Sequence, residues 1–193
     1  STMLSIHGCA IGPRGACALA STIAASSLVH LDLSDNGIGD TGAQGVAANM
    51  PERLEELMLG RNGIGAAGVS ALADVLGRRR RVSLRLLSLH ANRLRDDAIE
   101  PLAHCLGSPA PQGNRSLQSL DLSGNKLGTR GLLMLGDALV ANNSLTALHL
   151  GGNTRIAADA LAAIEELLKE NRAILPTERD DERDERDERD ERD

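Results

Sequence analysis

Apolar and polar positions recur along this chain in a fixed order. Six segments align, each with apolar residues at its first and third positions and Asn or Cys at its sixth: 4–9, 31–36, 57–62, 87–92, 120–125 and 148–153. Five carry a further leucine three residues upstream: Leu28, Leu54, Leu84, Leu117 and Leu145. Successive segments start 27, 26, 30, 33 and 28 residues apart. A period of this length predicts a stacked repeat architecture.

Each repeated position has a physical role. The two apolar residues predict a short strand that buries both side chains, while the residue between them faces outward. The Asn at the end of each strand can bond backbone groups that would otherwise be buried without partners. We therefore expect a stacked structural ladder, with Cys9 as a small substitute in the first unit: Cys9, Asn36, Asn62, Asn92, Asn125 and Asn153.

A turn and a helix follow each strand. Residues 11–15, 38–42, 64–68 and 127–131 share an Ile/Leu-Gly-x-x-Gly pattern, in which the first glycine permits a tight bend and the second permits close packing. Apolar residues then recur at helical spacing, as at Val69, Leu72 and Leu76. The fourth unit lacks the glycines, and the sixth has one extra residue after its Asn.

These motifs resemble the ribonuclease-inhibitor type of leucine-rich repeat, over residues 1 to about 175. The resemblance implies an α/β fold: a curved leucine-rich-repeat solenoid of six repeats, with parallel strands on the concave face and helices on the convex face. The class includes ribonuclease inhibitors, Ran GTPase-activating proteins, NLR sensors and tropomodulin-like actin regulators. Most bind proteins, but the fold alone does not select one function.

Two regions are predicted. Residues 1–176 form the repeat domain, with units starting near 1, 28, 54, 84, 117 and 145, and residues 177–193 form a charged Glu-Arg-Asp tail. The segment 108–114 accounts for the longest step and reads as a surface loop. Because the first unit begins directly at a strand, we expect either a fragment of a longer protein or an end-to-end contact through this uncapped repeat.

Charge and composition favour a protein partner. The net charge of −6 comes from 178–193, which hold 5 Glu, 6 Asp and 5 Arg, so that the preceding body is neutral. This balance gives no electrostatic reason to expect nucleic acid or membrane as a partner. Three sparse cysteines indicate reduced thiols and a cytoplasmic location, with the nucleus as the alternative. The basic run 78–81 fits a helix C-terminus, and a nuclear signal or anion patch is the alternative.

The strand positions that face outward are the candidate partner-binding surface. The predicted concave-face residues are His30, Asp32, Asp35, Glu56, Met58, Arg61, Arg85, Ser88, His90, Asp121 and His149. The alternative interpretation is that they are ordinary solvated strand residues. The chain contains no Phe, Tyr or Trp, the anchors that often dominate tight interfaces.

No pattern of residues indicates catalysis. There is no nucleophile elbow, phosphate loop or paired buried carboxylate in the sequence. The concave histidines are spread over separate strands, too far apart for the ligands of a zinc ion. We expect a protein-binding module or scaffold that is not an enzyme and needs no catalytic residue, metal or cofactor. The alternatives are a GTPase regulator similar to Ran GTPase-activating proteins and a tropomodulin-like cytoskeletal component.

Overall fold

A computed structural model describes residues 2–78, 83–109 and 113–174 of the chain. Strands and helices alternate along it. The strands are β1 (Met3–Ser5), β2 (His30–Asp32), β3 (Glu56–Met58), β4 (Leu86–Ser88), β5 (Ser119–Asp121) and β6 (Ala147–His149). The helices are α1 (Gly12–Ile23), α2 (Gly39–Ala48), α3 (Ala66–Arg78), α4 (Asp96–Gly107), α5 (Thr129–Ala141) and α6 (Ala158–Ile174). The α/β solenoid of six repeats predicted from the sequence is confirmed.

The strands form one parallel sheet in sequence order, from β1 to β6. Equivalent leucines pair across it, as Leu31 with Leu57 and Leu57 with Leu87. Strands in a sheet lie about 4.8 Å apart, whereas packed helices need about 8–10 Å. A strand-helix unit is therefore wider on its helical side, which places the sheet on the inside of the curve.

The core lies between the sheet and the helices. In the middle repeats the strand leucines are fully enclosed, as at Leu57 and Leu87. At the sheet edges the equivalent residues, such as Leu4 and Leu148, are only partly buried. Among the described residues, no helix is both long and apolar enough to cross a membrane.

The ladder asparagines join each repeat to its neighbours. Asn62 Oδ1 accepts from the backbone N–H of Asn36 at 2.9 Å, and Asn92 Oδ1 accepts from the N–H of Asn62 at 3.0 Å. The amide nitrogens donate to strand carbonyls, as Asn62 Nδ2 does to Leu33 at 2.9 Å. Cys9 occupies the first position, where its N–H donates to Asn36 Oδ1 at 3.0 Å, but its side chain is exposed.

The start of each helix corrects one expectation about glycine. The first glycine of the motif makes a left-handed bend at Gly12 and Gly39, with φ of 62° and 58°, but Gly65 and Gly128 lie outside that region. Instead, the N–H of Gly65 donates to Asp40 Oδ1 at 2.7 Å, and that of Gly128 donates to Asp96 Oδ1 at 2.7 Å. An aspartate from the preceding repeat therefore fixes the start of the next one.

The other end of each repeat contains a second set of buried asparagines. Asn142 Nδ2 donates to the carbonyl of Asn114 at 3.0 Å, and Asn171 Nδ2 donates to that of Asn142 at 2.8 Å. Asn114 is 4% exposed, so the end of the predicted surface loop 108–114 is part of the core. Residues 110–112, the basic residues 79–81 and the tail from 175 onward lie outside the described residues.

Candidate functional site: the concave face

The concave face consists of the strand positions beside the buried leucines. The sheet register places Asp32 opposite Met58 and Met58 opposite Ser88. A neighbouring row places His30 opposite Glu56. Because strands lie about 4.8 Å apart, side chains from adjacent repeats are close enough to interact. The predicted surface residues therefore fall into several small clusters.

The first cluster joins repeats one to three. His30 Nδ1 lies 2.9 Å from Glu56 Oε2, with both side chains roughly two-fifths exposed. Asp32 Oδ2 is 4.0 Å from His7 Nδ1 and accepts from Ser5 Oγ at 3.5 Å. Its other oxygen accepts from the N–H of Ser34 at 2.9 Å. These contacts hold two carboxylates in defined positions on an open surface.

The second cluster joins repeats four and five. Ser88 Oγ donates to Asp121 Oδ2 at 3.4 Å, while Ser123 Oγ donates to Asp121 Oδ1 at 2.6 Å. His90 Nδ1 lies 3.2 Å from Ser123 Oγ. The contacts from Ser88 and Ser123 hold the carboxylate of Asp121 in a defined position on the surface.

Two ion pairs lie at the margins of the face. Arg61 Nε is 3.9 Å from Asp35 Oδ2, and Arg85 Nη1 is 3.9 Å from Glu55 Oε2. Exposed pairs at this separation contribute little stability. The sequence prediction included Asp35, Arg61 and Arg85 but omitted Glu55. The signal for Glu55 was its place one residue before a strand, next to Arg85 in the adjacent repeat.

The last two predicted residues of the concave face are Met58 and His149, which form no ion pair within the described part of the chain. Met58 is 36% exposed at the centre of the face. His149 lies on the edge strand β6, opposite Asp121 in the register. Across the described ranges, no three His, Cys, Asp or Glu side chains converge in a way that could hold a metal ion.

The charge of the face is negative. Asp32, Asp35, Glu55, Glu56 and Asp121 supply five carboxylates against the guanidinium groups of Arg61 and Arg85. Both guanidinium groups are paired with an acid, which leaves three of the carboxylates with only serine, histidine or backbone partners. The face therefore presents fixed hydrogen-bond acceptors and negative charge to an approaching molecule.

Comparisons with known proteins agree with this architecture. A family model described as Leucine Rich repeat matches residues 24–47, 54–73, 113–136 and 141–164. Ribonuclease inhibitor of Sus scrofa is 27% identical over 89% of this chain and 43% of its own length. NACHT, LRR and PYD domains-containing protein 13 of Homo sapiens is 34% identical over 76% of the chain and 14% of its own length.

A plant protein and a solved structure extend the comparison. RAN GTPase-activating protein 2 of Arabidopsis thaliana is 26% identical over 76% of this chain and 25% of its own length. The chain thus spans less than half the length of these three relatives. The structure of Leiomodin-1 Actin-Binding Site 2 has a TM-score of 0.54 and 15% identity, covering 98% of this chain and 87% of that chain.

The repeat spacing, the asparagine ladder, the parallel sheet in sequence order and these similarities lead to one assignment. The chain is a leucine-rich repeat protein of the ribonuclease-inhibitor type.

Proposed function

We propose that this chain is a protein-binding module whose concave face takes a positively charged segment of a partner protein. The proposal is supported chiefly by Asp32, Glu56 and Asp121, whose carboxylates are exposed in part and held by serine, histidine or backbone neighbours. A carboxylate that is already positioned loses less side-chain entropy when it meets a cation.

The shape of the face supports the same partner chemistry. Gly60, Ser34 and Ser123 lie in the row beside the acids and have small side chains. Small residues allow a polypeptide to approach the strand surface closely, and Met58 offers a flexible apolar contact near the centre. We expect binding by a short basic segment, with moderate affinity because the chain has no aromatic anchor.

The test is a charge reversal on the concave face. The double variant Asp32→Lys/Glu56→Lys should weaken binding of a fluorescein-labelled Lys-Gly decapeptide by at least about fivefold, since both positions change from attraction to repulsion. The matched control is Asp137→Lys/Glu165→Lys, which makes the same charge change at exposed helix positions. Equal loss in both variants would contradict a role for the concave face.

A natural partner is then sought by affinity capture with both variants. A partner of the concave face is retained by the control variant and lost by the Asp32→Lys/Glu56→Lys variant. Capture that is unchanged by the concave reversal would assign partner binding to another surface.

The similar proteins suggest two alternative functions, each of which can be assayed directly. Similarity to RAN GTPase-activating protein 2 favours a GTPase regulator, for which purified chain should accelerate GTP hydrolysis by Ran. Similarity in fold to Leiomodin-1 Actin-Binding Site 2 suggests co-sedimentation with actin filaments as the other assay. A positive result in either would replace the generic binding role with that specific one.

A further inference from the structure

A second charged surface lies on the loops that join strands to helices in repeats four to six. Arg95, Lys126 and Arg155 line a groove of about 830 Å³ there. Arg93 and Arg130 flank it in the sequence, and all five side chains are exposed. Repeats two and three carry glycine at the positions that correspond to Arg93, Arg95 and Lys126: Gly37, Gly39, Gly63 and Gly65. Repeat one has Arg14 at the position equivalent to Arg130, so the densest group of loop cations lies in repeats four to six.

The backbone that carries these cations is fixed between repeats. The N–H of Lys126 donates to the carbonyl of Leu94 at 2.9 Å, next to Arg95. The carbonyl of Arg155 accepts from the N–H and the hydroxyl of Thr129, at 3.0 and 3.2 Å. The backbone at Lys126 and Arg155 is thus anchored to the neighbouring repeat by hydrogen bonds.

The cations are not neutralised by the described part of the chain. None of the five lies within ion-pair distance of a carboxylate among the described residues, in contrast to Arg61 and Arg85 on the concave face. Two carboxylates also line the groove, those of Asp96 and Asp97. Asp96 Oδ1 accepts the N–H of Gly128 at 2.7 Å, and Asp97 is exposed. Within the groove lining, three cations therefore face two carboxylates, which gives a net charge of +1.

We propose that this loop surface is a second docking site, which takes a short acidic polypeptide segment of a partner protein. Three repeats span about 10 Å at the strand spacing, which is the length of three or four extended residues. Guanidinium and ammonium groups form their strongest hydrogen bonds with carboxylates or other anionic oxygens. A module with an acidic concave face and a basic loop face would contact oppositely charged segments at separate sites.

The probe is a fluorescein-labelled decapeptide of alternating Glu and Asp, titrated against the full chain and followed by fluorescence anisotropy. We expect Arg95→Gln/Lys126→Gln/Arg155→Gln to weaken binding about fivefold to tenfold, as the loss of three exposed charge contacts predicts. The matched control is Arg53→Gln/Lys169→Gln/Arg172→Gln, which removes three exposed positive charges outside these loops and should change affinity less than twofold. Equal effects of the two triple variants would overturn the site.

Asp97 provides a test in the opposite direction. Asp97→Asn removes a carboxylate from the groove lining, so it should strengthen binding of the acidic decapeptide about twofold. Far-UV circular dichroism and thermal midpoints establish that each variant is folded. Weaker or unchanged decapeptide binding by a folded Asp97→Asn variant would contradict the proposal.

Two further binding experiments test whether another molecule occupies this loop surface. A twenty-nucleotide oligo-dT that binds more tightly than the decapeptide, with the same sensitivity to the loop triple variant, would replace an acidic polypeptide by a nucleic acid. Decapeptide binding that occurs only after deletion of 178–193 would make the chain's own tail the occupant. Binding by the full chain, weaker oligo-dT binding and sensitivity to the loop triple variant together support the proposal.

Discussion

Replacement of Asn62 by alanine tests the role of the ladder in holding the repeats together. The Asn62 side chain is 2% exposed, and its oxygen accepts from the N–H groups of Asn36 and Ile38 at 2.9 and 3.4 Å. Its amide nitrogen donates to the carbonyls of Leu33 and Gly60 at 2.9 and 3.1 Å. The residue therefore bonds four backbone groups in two repeats.

The expected cost follows from which of these groups lose every partner. The carbonyl of Leu33 still accepts from Asn36 Nδ2, and that of Gly60 still accepts from the N–H of Asp35. The N–H groups of Asn36 and Ile38 lose the acceptors described above. A buried donor without a partner costs about 1–3 kcal/mol, and the bond to Ile38 is long. We expect Asn62→Ala to lower the free energy of unfolding by about 2–4 kcal/mol.

The measurement is equilibrium urea denaturation followed by far-UV circular dichroism, because a chain without aromatic residues gives no tryptophan fluorescence. Asn143→Ala is the matched control, since Asn143 is exposed and the change should stay within about 0.5 kcal/mol. Asn153→Ala should be intermediate, because Asn153 is only partly buried at the last repeat. A loss for Asn62→Ala no larger than that for Asn143→Ala would refute the assigned role.

Three further predictions concern local backbone, helix starts and thiol ionisation. Ala91 has φ of 50°, so Ala91→Gly should stabilise the fold by about 0.5–1 kcal/mol. The control Ala162→Gly, at an exposed position of α6, should destabilise the fold by about 1 kcal/mol. Urea denaturation measures both changes, and the same sign for both would contradict the strain argument. Asp40 Oδ1 accepts from the N–H groups of Gly65 and Gly68 at the start of α3, at 2.7 and 2.9 Å. Asp40→Ala should therefore lower the free energy of unfolding by about 1–2 kcal/mol in the same assay. A change smaller than that of Asn143→Ala would exclude this capping role. Burial raises the pKa of the Cys105 thiol from 9.0 to about 11, so its protonated form is favoured by folding. The stability that the neutral Cys105 thiol contributes is fully present below pH 9 and is lost as the pH rises to 11. The thermal midpoint should therefore fall less over this pH range in Cys105→Ala than in the unchanged protein.

The repeat pattern was sufficient to predict the fold, because each repeat contacts only its neighbours. The strand leucines, the ladder asparagines and the helical spacing are local signals that recur in register. The sequence pattern failed where one repeat supplies a hydrogen bond to the next through a residue at a variable position of the repeat. Asp40 and Asp96 illustrate this, since their partners Gly65 and Gly128 lie 25 and 32 residues further along the chain.

The candidate site was only partly accessible from the sequence. The alternation of strand positions predicted which residues face the concave side, including His30, Asp32 and Glu56. It did not predict which of them meet. The contact between His30 and Glu56 and the omitted pair of Glu55 with Arg85 depend on the register and on side-chain rotamers. Both contacts form only once the sheet is assembled.

The sequence by itself determined the repeat type, the order of the strands and the buried leucines, because periodic burial of apolar residues leaves few ways to stack the units. Tertiary structure decided how charge is distributed over the surface. It brought the concave-face acids of different strands into contact with their histidine and serine neighbours, and it grouped Arg95, Lys126 and Arg155 on the loops of the last three repeats. Arg95 and Arg155, 60 positions apart in the chain, become neighbours only when the repeats are stacked, so the zero net charge of residues 1–177 concealed two charged surfaces.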